Sequence, residues 1–147
     1  MNFWSKEAPM WEYEHAVETD ADRGAIWRLW SDVENWGAWN GGIEKIELRG
    51  PFAEGAEIAM TPPGEDPVLL RVTALGEGEH FTDEARFGGL VLRTTHRLVP
   101  LGEDRTRVLY RMEISGEGAE KAGPQIGPGI TADWPETMAA LVELAAR

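Results

Sequence analysis

The sequence predicts a single α+β domain, with a curved, seven-stranded antiparallel sheet around a long C-terminal helix and two short helices between strands 1 and 2. Three observations predict this fold class. Large side chains alternate with mostly acidic ones over residues 11–18, which is the period of a half-buried strand. Six further strand-like segments, separated by turn residues, follow between residues 43 and 115. Residues 134–145 then carry an apolar stripe at helical spacing.

Length and composition limit the class of protein. A chain of 147 residues can bury one core, so we expect one domain over residues 1–147, with residues 1–9 as an N-terminal extension. The chain has no cysteine, which excludes disulfides, cysteine nucleophiles and thiolate metal sites. No apolar run resembles a signal peptide or approaches the length of a membrane span, so a cytoplasmic location is expected.

The formal net charge of −12 bears on the choice of partner. Binding to nucleic acids or to anionic membranes needs a basic patch that displaces counterions, so both partners are disfavoured. A small molecule is the expected partner. The sequence leaves open whether the chain is a monomer or a homodimer.

The connection between strands 1 and 2 is predicted to hold the two short helices. Residues 19–22 are typical of a helix cap, and the apolar residues that follow recur at helical spacing. A second short helix or turn is expected over residues 32–36, and residues 37–42 form a loop. Strands 2 to 7 are then predicted at residues 43–49, 56–61, 67–75, 79–87, 90–99 and 106–115. Gly88 and Gly89 between two alternating segments indicate a two-residue hairpin.

The C-terminal helix is predicted to begin near Asp133. Asp133 and Glu136 have the spacing of a capping box, and Pro135 suits a first helical turn. Residues 116–130 contain five glycines and two prolines, and they are either a loop or a broken helical lead-in.

Several short motifs carry a resemblance to a known family. They are Ile26-Trp27, the segment 31–39 with Trp36 and Trp39, Gly50-Pro51-Phe52, Gly55, Thr106-Arg107-Val108 and Gly116. Together with the predicted order of strands and helices, these motifs resemble the polyketide cyclase/dehydrase branch of the START-like (SRPBCC) superfamily over about residues 8–146. The resemblance implies the helix-grip fold. It implies no particular function, because members include cyclases, lipid carriers, hormone receptors and self-resistance proteins.

Strand alternation places a polar island on the apolar inner face of the sheet. The Gly88-Gly89 hairpin pairs Phe81 with His96 and Asp83 with Thr94, and a regular next turn sets His96 opposite Tyr110. His15 joins this island if the first strand pairs with the last. The arginines at 93, 97, 107 and 111 alternate with the inner residues and are expected on a solvated outer face.

Each member of the island has two possible roles. It can be a satisfied polar group of the core, or it can contact a ligand. Trp27 and Trp30 are expected to be core residues. The candidate ligand-binding residues are His15, Trp36, Trp39, Val72, Phe81, Leu92, Thr94, Met112, Trp134 and Met138.

Three functions remain open from the sequence. The first is the binding of a small, largely apolar molecule (polyketide, aromatic or lipid-like) in an internal cavity. The second is a cofactor-free polyketide cyclase or aromatase, with His96 and Tyr110 as catalytic acid and base and Asp83 orienting His96. The third is a protein-interaction domain with a filled core, with an apolar patch near Trp4 and Trp11. No metal is expected, because His80 is assigned to the face opposite His15 and His96.

Overall fold

A computed structural model describes residues 11–147, so the predicted N-terminal extension and Trp4 lie outside the described residues. These described residues fold into seven strands and three α-helices, with a 3₁₀ helix after the first α-helix. The strands are β1 (Trp11–Thr19), β2 (Lys45–Arg49), β3 (Glu57–Thr61), β4 (Val68–Gly76), β5 (His80–Phe87), β6 (Leu90–Gly102) and β7 (Arg105–Gly116). The helices are α1 (Arg23–Ser31), the 3₁₀ helix (Val33–Ala38), α2 (Ala119–Thr131) and α3 (Trp134–Ala145). The predicted fold class is confirmed.

The strands form one antiparallel sheet in the order β1-β7-β6-β5-β4-β3-β2. The first strand pairs with the last, which was the condition for His15 to join the island, and His15 lies opposite Tyr110. The hairpin register is also confirmed, because Phe81 pairs with His96 and Asp83 pairs with Thr94. These pairings set the polar island on adjacent strands of one face.

The two faces of the sheet differ in chemistry. The inner face carries the fully buried Phe81, Val108 and Ile114, and α1 covers one end of it with Ile26 and Trp30. The outer face carries ion pairs between neighbouring strands, such as Arg93–Glu84 at 2.8 Å, Arg111–Glu14 at 2.6 Å and Arg107–Glu18 at 3.3 Å. Exposed pairs of this kind contribute little to stability, so the core is the main stabilising element.

The structure settles the segment whose conformation the sequence left open. Residues 119–131 form the helix α2, although Pro124 and Pro128 lie inside it and each removes one backbone donor. Gly123 and Gly127, one helical turn apart, are buried against Trp11 of β1. The close approach of helix to strand therefore depends on two glycines on one face of α2.

The predicted capping box at the start of α3 is wrong. Asp133 occupies the N-cap position, but its side chain makes no capping hydrogen bond. Its backbone (φ −92°, ψ 0°) is close to helical, because α2 runs almost directly into α3. A capping side chain normally needs an extended backbone at the N-cap, so Asp133 is not placed to fold back.

The contact between α2 and Trp11 gives a stability prediction. A Cβ atom added at Gly127 would lie 2.6 Å from the indole ring of Trp11, so Gly127→Ala is expected to destabilise the protein by about 1–3 kcal/mol. Urea denaturation followed by circular dichroism measures the change. Gly129→Ala is the matched control, since a Cβ there meets nothing within 4 Å. Its effect is expected to be neutral or stabilising by up to about 1 kcal/mol, and equal losses in both variants would contradict the packing argument.

Candidate functional site

A cavity of about 890 Å³ lies between the inner face of the sheet and the helices α2 and α3. Most of the residues that the sequence singled out line it. They are Trp36, Trp39, Phe81, Asp83, Leu92, Thr94, His96, Tyr110, Met112 and Trp134. The cavity is thus the place where the chain brings these candidates together, and we treat it as the candidate site.

Three candidates do not line the cavity. Val72 and Met138 are fully buried in the core, and His15 is half-buried on β1, one strand beyond Tyr110. On α3 the cavity wall is formed by Trp134 and Thr137, because Met138 is rotated by one residue, about 100°, around the helix. The structure therefore does not bring these three side chains to the wall of this cavity.

Other wall residues were missed by the sequence reasoning. Ile126 and Ile130 project from α2, a segment whose conformation the sequence had left open. Met60, Val68 and Leu70 come from β3 and β4, where the alternation of strand residues was available but was not followed. The remaining missed residues are Asn40, Gly42, Pro62, Pro63, Glu65, Ala85, Phe87, Gln125, Gly129, Asp133 and Thr137.

His96 is held among aromatic rings. Its imidazole stacks on Phe81 with ring centroids 3.9 Å apart, and it meets the Tyr110 ring edge to face at 4.6 Å. Its Nδ1 lies 3.2 Å from the carbonyl oxygen of Phe81. A carbonyl oxygen only accepts, so Nδ1 carries the hydrogen and Nε2 has a free lone pair. Burial lowers the pKa of His96 to about 3, so the ring is neutral at physiological pH.

Tyr110 is fixed by a second aromatic contact. Its hydroxyl oxygen accepts a hydrogen bond of 3.2 Å from Nε1 of Trp30. Burial raises the pKa of Tyr110 well above its ordinary value, so the phenol stays protonated. The hydroxyl hydrogen of Tyr110 is therefore a neutral donor at the cavity wall.

Asp83 lies in the cavity wall without a partner. It is 5% exposed, and its carboxylate makes no hydrogen bond with any of residues 11–147. The neighbouring Thr94 hydroxyl points to the sulfur of Met112 at 3.7 Å instead. Burial, with a smaller contribution from the negative charge of Glu84, raises the pKa of Asp83 to about 7. The orienting role that the sequence assigned to Asp83 falls to the Phe81 carbonyl, which holds Nδ1 of His96.

Two tryptophans of the segment 31–39 also line the cavity, with their rings 6.1 Å apart. The Trp36 indole donates a hydrogen bond of 2.9 Å to the backbone oxygen of Trp30. The Trp39 indole nitrogen is buried and has no acceptor among residues 11–147. An unsatisfied buried donor of this kind is rare, and it is one of the costs of the packing around the two tryptophans.

The polar groups of the island thus share one wall without bonding to one another. His96 bonds to the backbone of Phe81, Tyr110 bonds to Trp30, and the Thr94 hydroxyl contacts sulfur. All three residues line the cavity, and none of them is satisfied by another member of the island.

A smaller cleft of about 500 Å³ lies behind this wall, lined by Trp27, Arg28, Phe52 and residues of the β4–β5 turn. None of the candidate residues lines it. Residues 11–147 contain no group of three or more His, Cys, Asp or Glu side chains placed to bind a metal. No α-helix in the same part of the chain is long and apolar enough to span a membrane.

The raised pKa of Asp83 predicts a pH dependence of stability. The folded protein holds this proton more tightly than the unfolded chain, so the stabilising contribution is complete below about pH 4 and is lost as the pH rises through about 7. The Asp83→Asn variant has no group that titrates at this position, so it does not lose this contribution. Between those pH values its free energy of unfolding is therefore expected to rise, relative to that of the wild type, by up to about 4 kcal/mol. Urea titrations across this range measure the difference.

Asp104→Asn is the control, since it removes one exposed carboxylate from the β6–β7 turn and leaves the cavity intact. A difference between wild type and Asp83→Asn that did not change with pH would contradict the buried, unpartnered state of Asp83.

Comparisons with known proteins agree with the resemblance drawn from the sequence. No protein-family model matches the chain, and no curated protein matches it. Solved structures do match. Norcoclaurine synthase from Thalictrum flavum, solved in complex with dopamine and hydroxybenzaldehyde, has a TM-score of 0.73 at 18% identity over 98% of this chain and 91% of that chain.

A START superfamily protein from Mycobacterium smegmatis has a TM-score of 0.72 at 17% identity, over 91% of this chain and 96% of its own. Ara h 8.0201 has a TM-score of 0.72 at 11% identity, over the same shares of the two chains. Identities this low carry the fold and not the activity. These structural matches show that the protein has a START-like, helix-grip fold.

Proposed function

We propose that the protein binds a small, largely apolar molecule in the cavity between the sheet and the helices α2 and α3. The observation that carries this proposal is the cavity itself. Its volume of about 890 Å³ is in the range of small-molecule sites, and its walls are mostly apolar and aromatic with a few polar groups. The filled-core alternative predicted no such space.

An unused polar group supports a binding role. A buried carboxylate costs free energy when it is left without a partner. Asp83 lines the cavity, is 5% exposed and has no hydrogen-bond partner among residues 11–147. A core built only for stability would replace it with an apolar side chain, whereas a ligand that pairs with its carboxyl group removes the cost.

The structural comparisons are compatible with this proposal. The similar norcoclaurine synthase structure holds two small aromatic molecules. The aromatic wall formed by Trp36, Trp39, Phe81, Tyr110 and Trp134 offers flat surfaces suited to ligands of that kind.

The binding proposal is tested with N-phenylnaphthylamine, a neutral dye whose fluorescence rises in an apolar site. We expect saturable enhancement with the wild-type protein. Ala85→Leu places three further carbons on a buried wall residue and is expected to weaken dye binding by about ten-fold or more. Ala16→Leu, on the exposed face of β1, is the matched control and is expected to leave the affinity unchanged. The absence of saturable enhancement, or equal losses in both variants, would contradict binding in this cavity.

A second function, cofactor-free catalysis of the polyketide cyclase type, is favoured by one observation. An acid–base residue works best when its pKa is near the working pH, and Asp83 has a pKa of about 7 in a water-poor wall. His96, with a pKa of about 3, is a weak base, and Tyr110 is a weak acid. In this hypothesis Asp83 transfers the proton, while His96 and Tyr110 hydrogen-bond the substrate.

The catalytic hypothesis is tested by incubating the protein with a poly-β-keto thioester and analysing products by mass spectrometry. If the protein is an enzyme, the rate is expected to change with pH around 7 and Asp83→Asn is expected to abolish that change. Tyr110→Phe is expected to retain the pH profile at a lower rate. Binding without product formation in any variant would leave the carrier role as the function of the cavity.

A further inference from the structure

The charges around the cavity distinguish between classes of apolar ligand. Three carboxylates line it: Asp83 lies deep in the wall, and Glu65 and Asp133 are exposed residues at its margin. Within residues 11–147, no lysine or arginine lines the cavity. We propose that the physiological ligand is a cationic amphiphile, an apolar or aromatic body that carries a protonated amine, and that Asp83 pairs with the ammonium group. The inference rests on the proposed binding function and specifies its ligand class.

The first argument is the absence of any partner for Asp83. A carboxylate that is 95% buried normally pairs with a cation or accepts several hydrogen bonds, because its ionised form is otherwise costly. Asp83 has neither among the described residues: its cross-strand neighbours are Val72 and Thr94, and the Thr94 hydroxyl contacts sulfur. An ammonium group supplies the missing charge and up to three donors.

The second argument is where the protein places its positive charges. On the sheet, Arg93, Arg107 and Arg111 alternate with the cavity-facing residues and form ion pairs on the outer face, with Glu84, Glu18 and Glu14 respectively. They are therefore turned away from the cavity. An anionic ligand, such as a fatty acid, would leave its carboxylate in the cavity without a cation and beside a carboxylate of like charge.

The neutral polar groups of the wall are compatible with a cation. His96 presents the lone pair of Nε2, because its Nδ1 hydrogen is directed to the Phe81 carbonyl. The faces of Trp36, Trp39 and Trp134 stabilise a nearby cation through their negative quadrupole. The Tyr110 hydroxyl is an uncharged donor, which an ether, hydroxyl or carbonyl oxygen on the ligand satisfies without a negative charge.

Three probes with one apolar body test the charge selection. Naphthylethylamine is cationic, naphthylethanol is neutral and naphthylacetate is anionic at pH 8. Isothermal titration at low salt, with fluorescence as a second readout, gives the three dissociation constants. We expect the amine to bind at least about ten-fold more tightly than the alcohol and the alcohol more tightly than the acid, since one close charge pair in a water-poor site is worth that factor or more.

Variants then assign the selection to Asp83. Asp83→Asn is expected to weaken amine binding by about ten-fold and to leave alcohol binding within about two-fold. Asp104→Asn removes the same single negative charge at an exposed turn and is expected to leave all three affinities unchanged. The ranking of the probes by the wild-type protein needs no variant, so it stands as a test if Asp83→Asn does not fold.

The outcomes separate this inference from the binding proposal. Acid bound as tightly as amine would overturn the charge selection, while alcohol binding would still support an apolar site. Equal effects of Asp83→Asn and Asp104→Asn would overturn the assignment to Asp83. If none of the three probes bound, both the ligand class and the binding proposal would fail for this class of molecule.

Discussion

The packing of Trp30 is the interaction on which the site depends. Its ring is fully buried and contacts Phe81, His96 and Tyr110, at centroid distances of 5.3, 5.9 and 6.2 Å. Its Nε1 donates to Tyr110, and its backbone oxygen accepts from Trp36. One residue of α1 therefore fixes three strands and the 3₁₀ helix relative to one another. The rigid aromatic wall that results holds the polar groups of the cavity in place.

This aromatic packing also explains the protonation states at the wall. Removing water destabilises the charged form of every group, so the pKa of Asp83 rises and that of His96 falls. At about pH 5 the folded protein has Asp83 protonated and His96 neutral, whereas the unfolded chain has Asp83 ionised and His96 protonated. Each state therefore holds one titratable proton on this pair of residues. The two contributions to the pH dependence of stability therefore largely cancel in mildly acidic solution. Only the pH dependence cancels: the free-energy costs of protonating Asp83 and of deprotonating His96 add, so the neutral wall costs about 3 kcal/mol that changes little with pH in this range.

The sequence predicted the sheet and its inner face well, because period-two alternation and the Gly88-Gly89 turn together determine the register. It could not decide the conformation of residues 119–131, since the signal for a helix there is tertiary: Gly123 and Gly127 allow contact with Trp11, far away in sequence. Ile126 and Ile130 were missed for the same reason. Alternation also gives the face of a side chain and not its partner, so Thr94 and His96 were placed correctly while their hydrogen bonds were not predicted.

Selectivity in this fold has to come from the few polar positions of the inner wall, because the apolar surface accepts any molecule of suitable size. The strand pattern that places arginines on the outer face also places Asp83 on the inner one. In the proposed ligand class, an isolated carboxylate there disfavours anions by repulsion and by their uncompensated desolvation, and it does not disfavour a neutral molecule. In the proposed function, affinity for apolar bodies and discrimination by charge are therefore separate properties of the same cavity, the first set by its volume and aromatic rings and the second by Asp83.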